Sequence, residues 1–342
     1  MNSVRTSSLA AALACGLALV AAHPSAAQVS YAFTNFDGPP DNTMGTTING
    51  INNNGDEVGF STGATGNFTN FIRDPNGNFT ILNIGNDPMA MANGINNSNT
   101  VVGITGAMAA FSLPSGSSMP TLLPAPNPGN TASSIAFGIN DHGVIVGQYA
   151  DNSTGTTPGF VDNNGAFTIL NPVANSMVTN AQGINNNGLV TGFYSINGVN
   201  QFGFLYNTNT MQYTLLPDPS TQRIMTGGLV LTQFLGINDK GEASGYYQTD
   251  NGSQFGFLFN TNTDTYTYLD DPFAAPVGGV QITQITGINN AGDISGFYID
   301  ANGVQHGFLG APVPEPGSLG FLAAWGLCGV GLMLHKRRRQ AA

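Results

Sequence analysis

Between residues 28 and 310 short apolar runs alternate with polar turns, and the alternation keeps one order throughout. One run is anchored on Gly-Ile-Asn: GINNNGDEVGF from Gly50, GINNSNTVVGI from Gly94, GINDHGVIVGQ from Gly138, GINNNGLVTGF from Gly183, GINDKGEASGY from Gly236 and GINNAGDISGF from Gly287. The starts are 44, 44, 45, 53 and 51 residues apart. After each copy comes a second apolar element (NFIRD, AAFSL, PGFVD, FGFLY, FGFLF, HGFLG), then a polar turn such as PNGN, NNGA or NTNT, and then a third element such as FTILN, YTLLP or YTYLD. A fourth runs into the next Gly-Ile-Asn, as in TQFLGIN and TQITGIN. Runs rich in Phe, Tyr, Ile and Val and bounded by Asn-Gly turns read as strands, and no stretch keeps a helical period. Four short strands per repeat is the size of a propeller blade.

The ends of the array test closure. The last copy, HGFLG, has no third element after it, whereas YAFTNFDGPP from Tyr31 has the look of that element with nothing before it. Six full sets result when the last blade combines strands from both termini, which also pairs edges that would otherwise lie open. The expected fold is all-β: a six-bladed β-propeller closed by strands from both termini.

Outside the repeats the pattern changes. Arg5 precedes the apolar run LAAALACGLALVAA, and small residues, Ser25 and Ala27, stand at the −3 and −1 positions of HPSAAQVS. This is a secretory signal peptide over 1–27, cleaved after Ala27. At the other end residues 319–334 are apolar and uncharged, followed by Lys336, Arg337, Arg338 and Arg339. At about 1.5 Å per helical residue the run spans roughly 24 Å, a little short of a ~30 Å hydrocarbon core; flanking residues and local thinning supply the rest. A C-terminal single transmembrane helix is expected, with the basic stop on the cytoplasmic side.

Val313, Pro314, Glu315 and Pro316 stand directly before that segment. Pro-Glu-Pro, a short apolar run and an Arg-rich end, in that order, resemble the PEP-CTERM sorting signal. The resemblance implies recognition by an integral-membrane exosortase, release or transfer of the body toward the cell surface, and a Gram-negative host that makes exopolysaccharide. The expected domains are a signal peptide (1–27), a six-repeat propeller (28–310) and a sorting tail (311–342).

Composition sharpens this. Cys15, Cys328 and Trp325 all lie in the two ends, so the body has no cysteine. It has neither disulfides nor thiolate metal sites and must be held by its core, which a body of this length can make large. Its three basic residues, Arg73, Arg223 and Lys240, face eighteen acids, a formal charge of −15. That argues against nucleic acid and anionic lipid as partners. Charged residues are 8% of the chain, against a usual ~25%; Asn, Thr, Ser and Gly supply the polarity instead.

Candidate chemistry is sparse. Loops such as NNNGDE and NDKGE are oxygen-rich and raise calcium as an alternative. They lack the closing Glu of an EF-hand, and NNSNT has no acid. Hairpin turns, with Asn bonding its own backbone and Gly at positive φ, explain them more simply. No cofactor and no metal ligand is expected on that reading. The second glycine of each copy (Gly59, Gly103, Gly147, Gly192, Gly245, Gly296) falls inside a strand, where a missing side chain permits a bulge or close backbone approach.

His142 and His306 occupy slots held elsewhere by Asn187 or Lys240 and by Phe202 or Phe255, and read as repeat variants. Paired acids can run glycoside hydrolysis, yet Asp270-Asp271 matches the LPDP corner at Asp218, a strand-end turn. There is no G-x-S-x-G elbow, P-loop or Rossmann fingerprint, and no catalytic residue is expected. Tyr149, Tyr194, Tyr247 and Tyr298 recur at one place in repeats three to six; they are candidates for stacking against glycans, or for packing between blades.

The repeat also resembles the HAF-type extracellular repeat, in which a His-Ala-Phe-like strand start alternates with an Ile-Asn-x-x-Gly-x-Val-x-Gly turn. QHGFL from Gln305 is the nearest copy to the first half, most others carrying Phe or Pro in place of His, and the second half runs close to all six copies. The resemblance implies export and no defined activity. The functional expectation is an exported bacterial cell-surface or extracellular-matrix protein, with a non-catalytic binding or structural role near exopolysaccharide. Its partners would be exosortase, the membrane through the tail before processing, and a polysaccharide or surface glycan. The alternative is a secreted polysaccharide hydrolase or lyase, with acids gathered from several blades at the propeller centre.

Overall fold

Strand follows strand along the chain in the computed structural model, which describes residues 29–39, 44–221 and 228–313. Strand β1 (Ser30–Phe36) precedes a first set, β2 (Gly45–Ile51), β3 (Glu57–Thr62), β4 (Phe68–Arg73) and β5 (Phe79–Ile81). The second set is β6 (Met91–Ile95), β7 (Val101–Ile104), β8 (Ala110–Leu113) and β9 (Thr121–Leu122). The third is β10 (Thr131–Ile139), β11 (Ile145–Asp151), β12 (Gly159–Asn163) and β13 (Ala166–Leu170). The fourth is β14 (Val178–Ile184), β15 (Leu189–Ser195), β16 (Phe202–Asn207) and β17 (Gln212–Leu215). The fifth is β18 (Leu229–Ile237), β19 (Glu242–Thr249), β20 (Gln254–Asn260) and β21 (Thr265–Leu269). Last come β22 (Thr283–Ile288), β23 (Ile294–Ile299) and β24 (Gln305–Val313).

The second to fifth sets are separate four-stranded antiparallel sheets. The remaining strands form one eight-stranded sheet, in which β22-β23-β24 meets β2-β3-β4-β5 through a single parallel pair, Gly45 with Gln305. β1 lies antiparallel along β24, from Ser30 opposite Val313 to Phe36 opposite Gly307. The architecture is all-β and propeller-like: first strands of successive sets touch one another, and β22 touches β2. β24 continues three residues past the boundary drawn at 310, because 311–313 pair with 30–32. Val313, the first residue of the expected sorting motif, is thus a strand residue. The expected signal peptide, Pro314 to Pro316, the expected membrane segment and Lys336 to Arg339 lie outside the described residues. Among the described residues no helix is long and apolar enough to cross a membrane.

Turn chemistry sets the hairpins. Gly55, Gly143, Gly188, Gly241 and Gly292 take φ between 76° and 91° in the turn after each Gly-Ile-Asn, and in the second repeat, which has no glycine there, Asn99 does so at 55°. Asparagine is the residue that tolerates this region at least cost after glycine.

The core lies between neighbouring sheets. One cluster joins Val146, Val161 and Leu170 of the third set to Ile184, Val190 and Phe204 of the fourth. A phenylalanine at one position of each third strand (Phe71, Phe111, Phe160, Phe204, Phe257, Phe308) is fully buried. In five sets it packs over the second glycine of its own repeat, where an added Cβ would overlap the ring. At all six of those glycines the Cβ would also overlap a first-strand carbonyl oxygen. The first strand carries a register shift directly opposite, as between Ala136 and Gly138, so bulge and close approach occur together.

Candidate functional site

Six first strands bring six copies of Gly-Ile-Asn around one axis, and each residue of the tripeptide makes a layer. In the glycine layer the backbones touch. A Cβ on Gly183 would sit 3.1 Å from the Cα of Gly236, and one on Gly287 3.0 Å from the nitrogen of Ile51. The next layer is Ile51, Ile95, Ile139, Ile184, Ile237 and Ile288, shared by two small axial cavities of about 70 and 60 Å3. On the far side of the glycines the axis widens to about 210 Å3, walled by Asn49, Asn93, Phe137, Gln182, Gln233 and Gln284 among others.

Asparagine makes the third layer, and five of the six do two jobs, Asn289 turning its amide to Asp293 of its own turn instead. The side-chain oxygen of Asn140 accepts the N–H of His142 and of Val144, both at 3.0 Å, which shapes its own turn. Its amide nitrogen donates to the carbonyl of Asn185 in the next repeat at 3.1 Å. The same latch runs from Asn52 to Asn96, Asn96 to Asn140, Asn185 to Asn238 and Asn238 to Asn289. Buried side chains that satisfy both ends in this way fix one arrangement.

The following residue builds a second ring outside the first. The backbone N–H of Asn53 donates to Asn97 Oδ1, Asn97 to Asp141, Asp141 to Asn186, Asn186 to Asp239, Asp239 to Asn290, and Asn290 back to Asn53, all at 2.8 or 2.9 Å. Six bonds return to their starting residue. The two acids of this ring, Asp141 and Asp239, each take a side-chain amide from both neighbours: Asn97 and Asn186 at 2.6 and 2.8 Å, Asn186 and Asn290 at 3.1 and 2.7 Å. They are the carboxylates that line the axial cavity. The oxygens that raised calcium at these turns accept backbone N–H groups, and among the described residues no group of three or more His, Asp or Glu is placed to hold a metal ion.

The repeat tyrosines are not an open platform. Tyr149, Tyr194, Tyr247 and Tyr298 are 3, 9, 3 and 5% exposed. They lie two residues past the strand glycine, on the face turned toward a neighbouring sheet, as the two-residue strand period requires. Tyr194 and Tyr247 pack on Phe202 and Phe255 with ring centres 5.8 and 5.3 Å apart, and Tyr298 stacks on His306 at 5.2 Å. His306 therefore fills the phenylalanine slot, with Nδ1 2.7 Å from Asp37 and Nε2 3.5 Å from Asp300. His142 is exposed beside the asparagine layer.

Two buried acids tie strands together: Asp271, at the corner read as a strand-end turn, and Glu57, which the sequence reading did not single out. Asp271 accepts the N–H of Phe273 at 2.8 Å and the Asn35 amide at 3.3 Å, tying the closing strand to the loop after β21. Burial pushes its carboxyl up, against hydrogen bonds from Phe273 and Asn35 and the nearby His306. Glu57, fully buried, meets Arg73 at 2.7 Å, and Arg73 lies 4.1 Å over the ring of Phe36 on β1. Burial raises the Glu57 carboxyl to about 8, with Arg73 opposing the rise. The available signal was cross-strand pairing of the sequence's rare charges, Glu57 opposite Arg73.

No protein-family model matches the chain, and no characterised protein matches its sequence. Solved structures share its outline. A lectin of Aleuria aurantia, in complex with a fucose-containing disaccharide, is 12% identical, with 80% of this chain and 98% of that one covered and a TM-score of 0.45. An oligogalacturonate lyase of Vibrio parahaemolyticus is 10% identical over 84% and 98%, with a TM-score of 0.43. The WD40 β-propeller domain of Doa1 gives 10%, 84%, 98% and 0.40. Likeness at this level brings neither activity nor ligand to this chain.

Proposed function

We propose that the chain is an exported bacterial surface or matrix protein whose body is a six-bladed propeller with a non-catalytic binding or structural role beside exopolysaccharide. In this reading the eight-stranded sheet counts as two blades, one being β22, β23, β24 and the closing strand β1. Residues 1–27 direct export, and the tail from Val313 engages exosortase and the membrane before processing. The observation that carries the role is the character of the surface around the axis: side-chain amides in rings, in a chain with 8% charged residues. Dense neutral hydrogen-bonding groups are the chemistry that recognises polysaccharide hydroxyls. A polysaccharide hydrolase or lyase is the second reading, favoured by Asp141 and Asp239 at the turn-side mouth of the axis.

Two measurements test this. Intact mass of the protein recovered from its host's membrane, surface and medium fractions should show a species ending near Pro314 outside the membrane. A membrane species still carrying Arg339 refutes processing. Incubation with the host's polysaccharide should show saturable binding without new ends; release of oligosaccharides moves the assignment to the enzyme.

A further inference from the structure

Two cavities occupy equivalent places between neighbouring sheets on the side of the Asn-Gly turns. One, about 510 Å3, lies between the first and second sets, and the other, about 370 Å3, between the third and fourth. Their walls share repeat positions: Ile72 corresponds to Val161, Thr80 to Thr168 and Leu113 to Tyr206. They differ in charge. Where the first has Asp56 and Asp74, the second has Val144 and Asn163, and no Asp, Glu, Lys or Arg lines it.

The second cavity has an amphiphilic build. Its floor is Val161, Ile184 and Tyr206, all buried in the cluster between the two sheets. Its rim holds Asn163, Thr168 and Asn209, exposed neutral donors and acceptors. The Tyr206 hydroxyl makes no hydrogen bond among the described residues, whereas Tyr213, Tyr266 and Tyr268 all bond backbone through theirs. At the rim the hairpin carries Met211, 71% exposed, in the left-handed conformation at φ 58°. That is a costly place for a flexible apolar residue. The fifth set has Asp264 there, at φ 53°, after the same NTNT turn.

The geometry points to this cavity as a binding site for one uncharged pyranose unit of a polysaccharide, its C–H face on the apolar floor and its hydroxyls on Asn163, Thr168, Asn209 and the Tyr206 O–H. The inference rests on the polysaccharide-binding role proposed above and adds to it the site and the sugar class. Volume fits, since small-ligand pockets begin near ~300 Å3 and combine an apolar floor with a few polar groups. Charge selects the neutral sugar. A uronic acid would find no Lys or Arg in the wall, where His142 is the one basic side chain, and the only described Lys or Arg outside the Glu57–Arg73 pair is Lys240, in another turn.

The test is equilibrium binding of the full chain to neutral polymers (dextran, mannan, galactan) and to uronic-acid polymers (alginate, polygalacturonate). Two variants accompany it: Tyr206→Phe, which keeps the ring, and Asn163→Asp, which gives the exposed rim the acid of the other cavity. A neutral polymer should bind, and each variant should weaken it about tenfold, the loss of one or two ligand hydrogen bonds. Wild-type binding that both variants leave unchanged overturns the site while the polysaccharide role stands. Preference for alginate or polygalacturonate overturns the sugar class. No binding to any polymer, the host's own included, overturns the binding role and this site with it.

Discussion

Asn140 offers the sharpest test of how the repeats are joined. Asn140→Ala deletes two acceptor bonds that shape the turn, to His142 and Val144, and the donor bond to Asn185 of the next repeat. The side chain is 6% exposed, so water does not replace these partners freely. At about 1 kcal/mol net per bond, with the Asn185 carbonyl left without its donor, the cost is about 2–4 kcal/mol. For a body of this size that is a fall of roughly 5–15 °C in the melting temperature. Asn53→Ala is the control. It removes an acceptor of one bond at an exposed site, where water substitutes and the cost is below about 1 kcal/mol. Thermal and urea unfolding of wild type and both variants, followed by circular dichroism, measure the difference. Equal stability of Asn140→Ala and wild type, within about 0.5 kcal/mol, refutes the latch; equal losses in the two variants refute the role given to burial.

Other outcomes follow from the same geometry. Gly147→Ala places a Cβ against the Ile135 carbonyl and the Phe160 ring and should cost about 1–3 kcal/mol by overpacking, read as a lower urea midpoint at unchanged slope. Glu57 holds its proton in the folded state up to about pH 8, against an ordinary value of 4.5. The native state thus binds more protons across that window, and stability falls as pH rises through it. Glu57→Gln should flatten the dependence between pH 5 and 8, and a slope equal to wild type would falsify the assignment. Deleting Ser30–Phe36 strips β24 of its β1 partner from Gly307 to Val313 and should yield aggregated or non-cooperatively unfolding protein by size exclusion and melting.

Much of the fold was legible because it repeats. Six copies of one hydrophobic pattern locate the strands, and the mismatch between HGFLG and YAFTNF pointed to the pairing that β1 and β24 make. The strand glycines were readable too, since nothing but close approach explains a glycine kept at one strand position. Contacts that join repeats were hidden. The partners of Asn140 and Asn53 lie 44 or more residues away, and nothing local distinguishes an asparagine that shapes its own turn from one that also grips a neighbour. The tyrosines show a different limit: their recurrence was visible, yet whether a strand face meets solvent or another sheet depends on what is stacked beside it. The boundary at 310 failed because residues 311–313 carry no repeat signal; β1 alone draws them into the sheet.

The pairing of β1 with β24 imposes an order of events on synthesis. The first strand made has to wait for the last, and until then Tyr31, Phe33 and Phe36 have no sheet to enter. A chain interrupted anywhere before β24 keeps an open edge, the state most exposed to proteolysis and aggregation. Only a chain that has reached β24 completes its core. Closure thereby acts as a check of completeness.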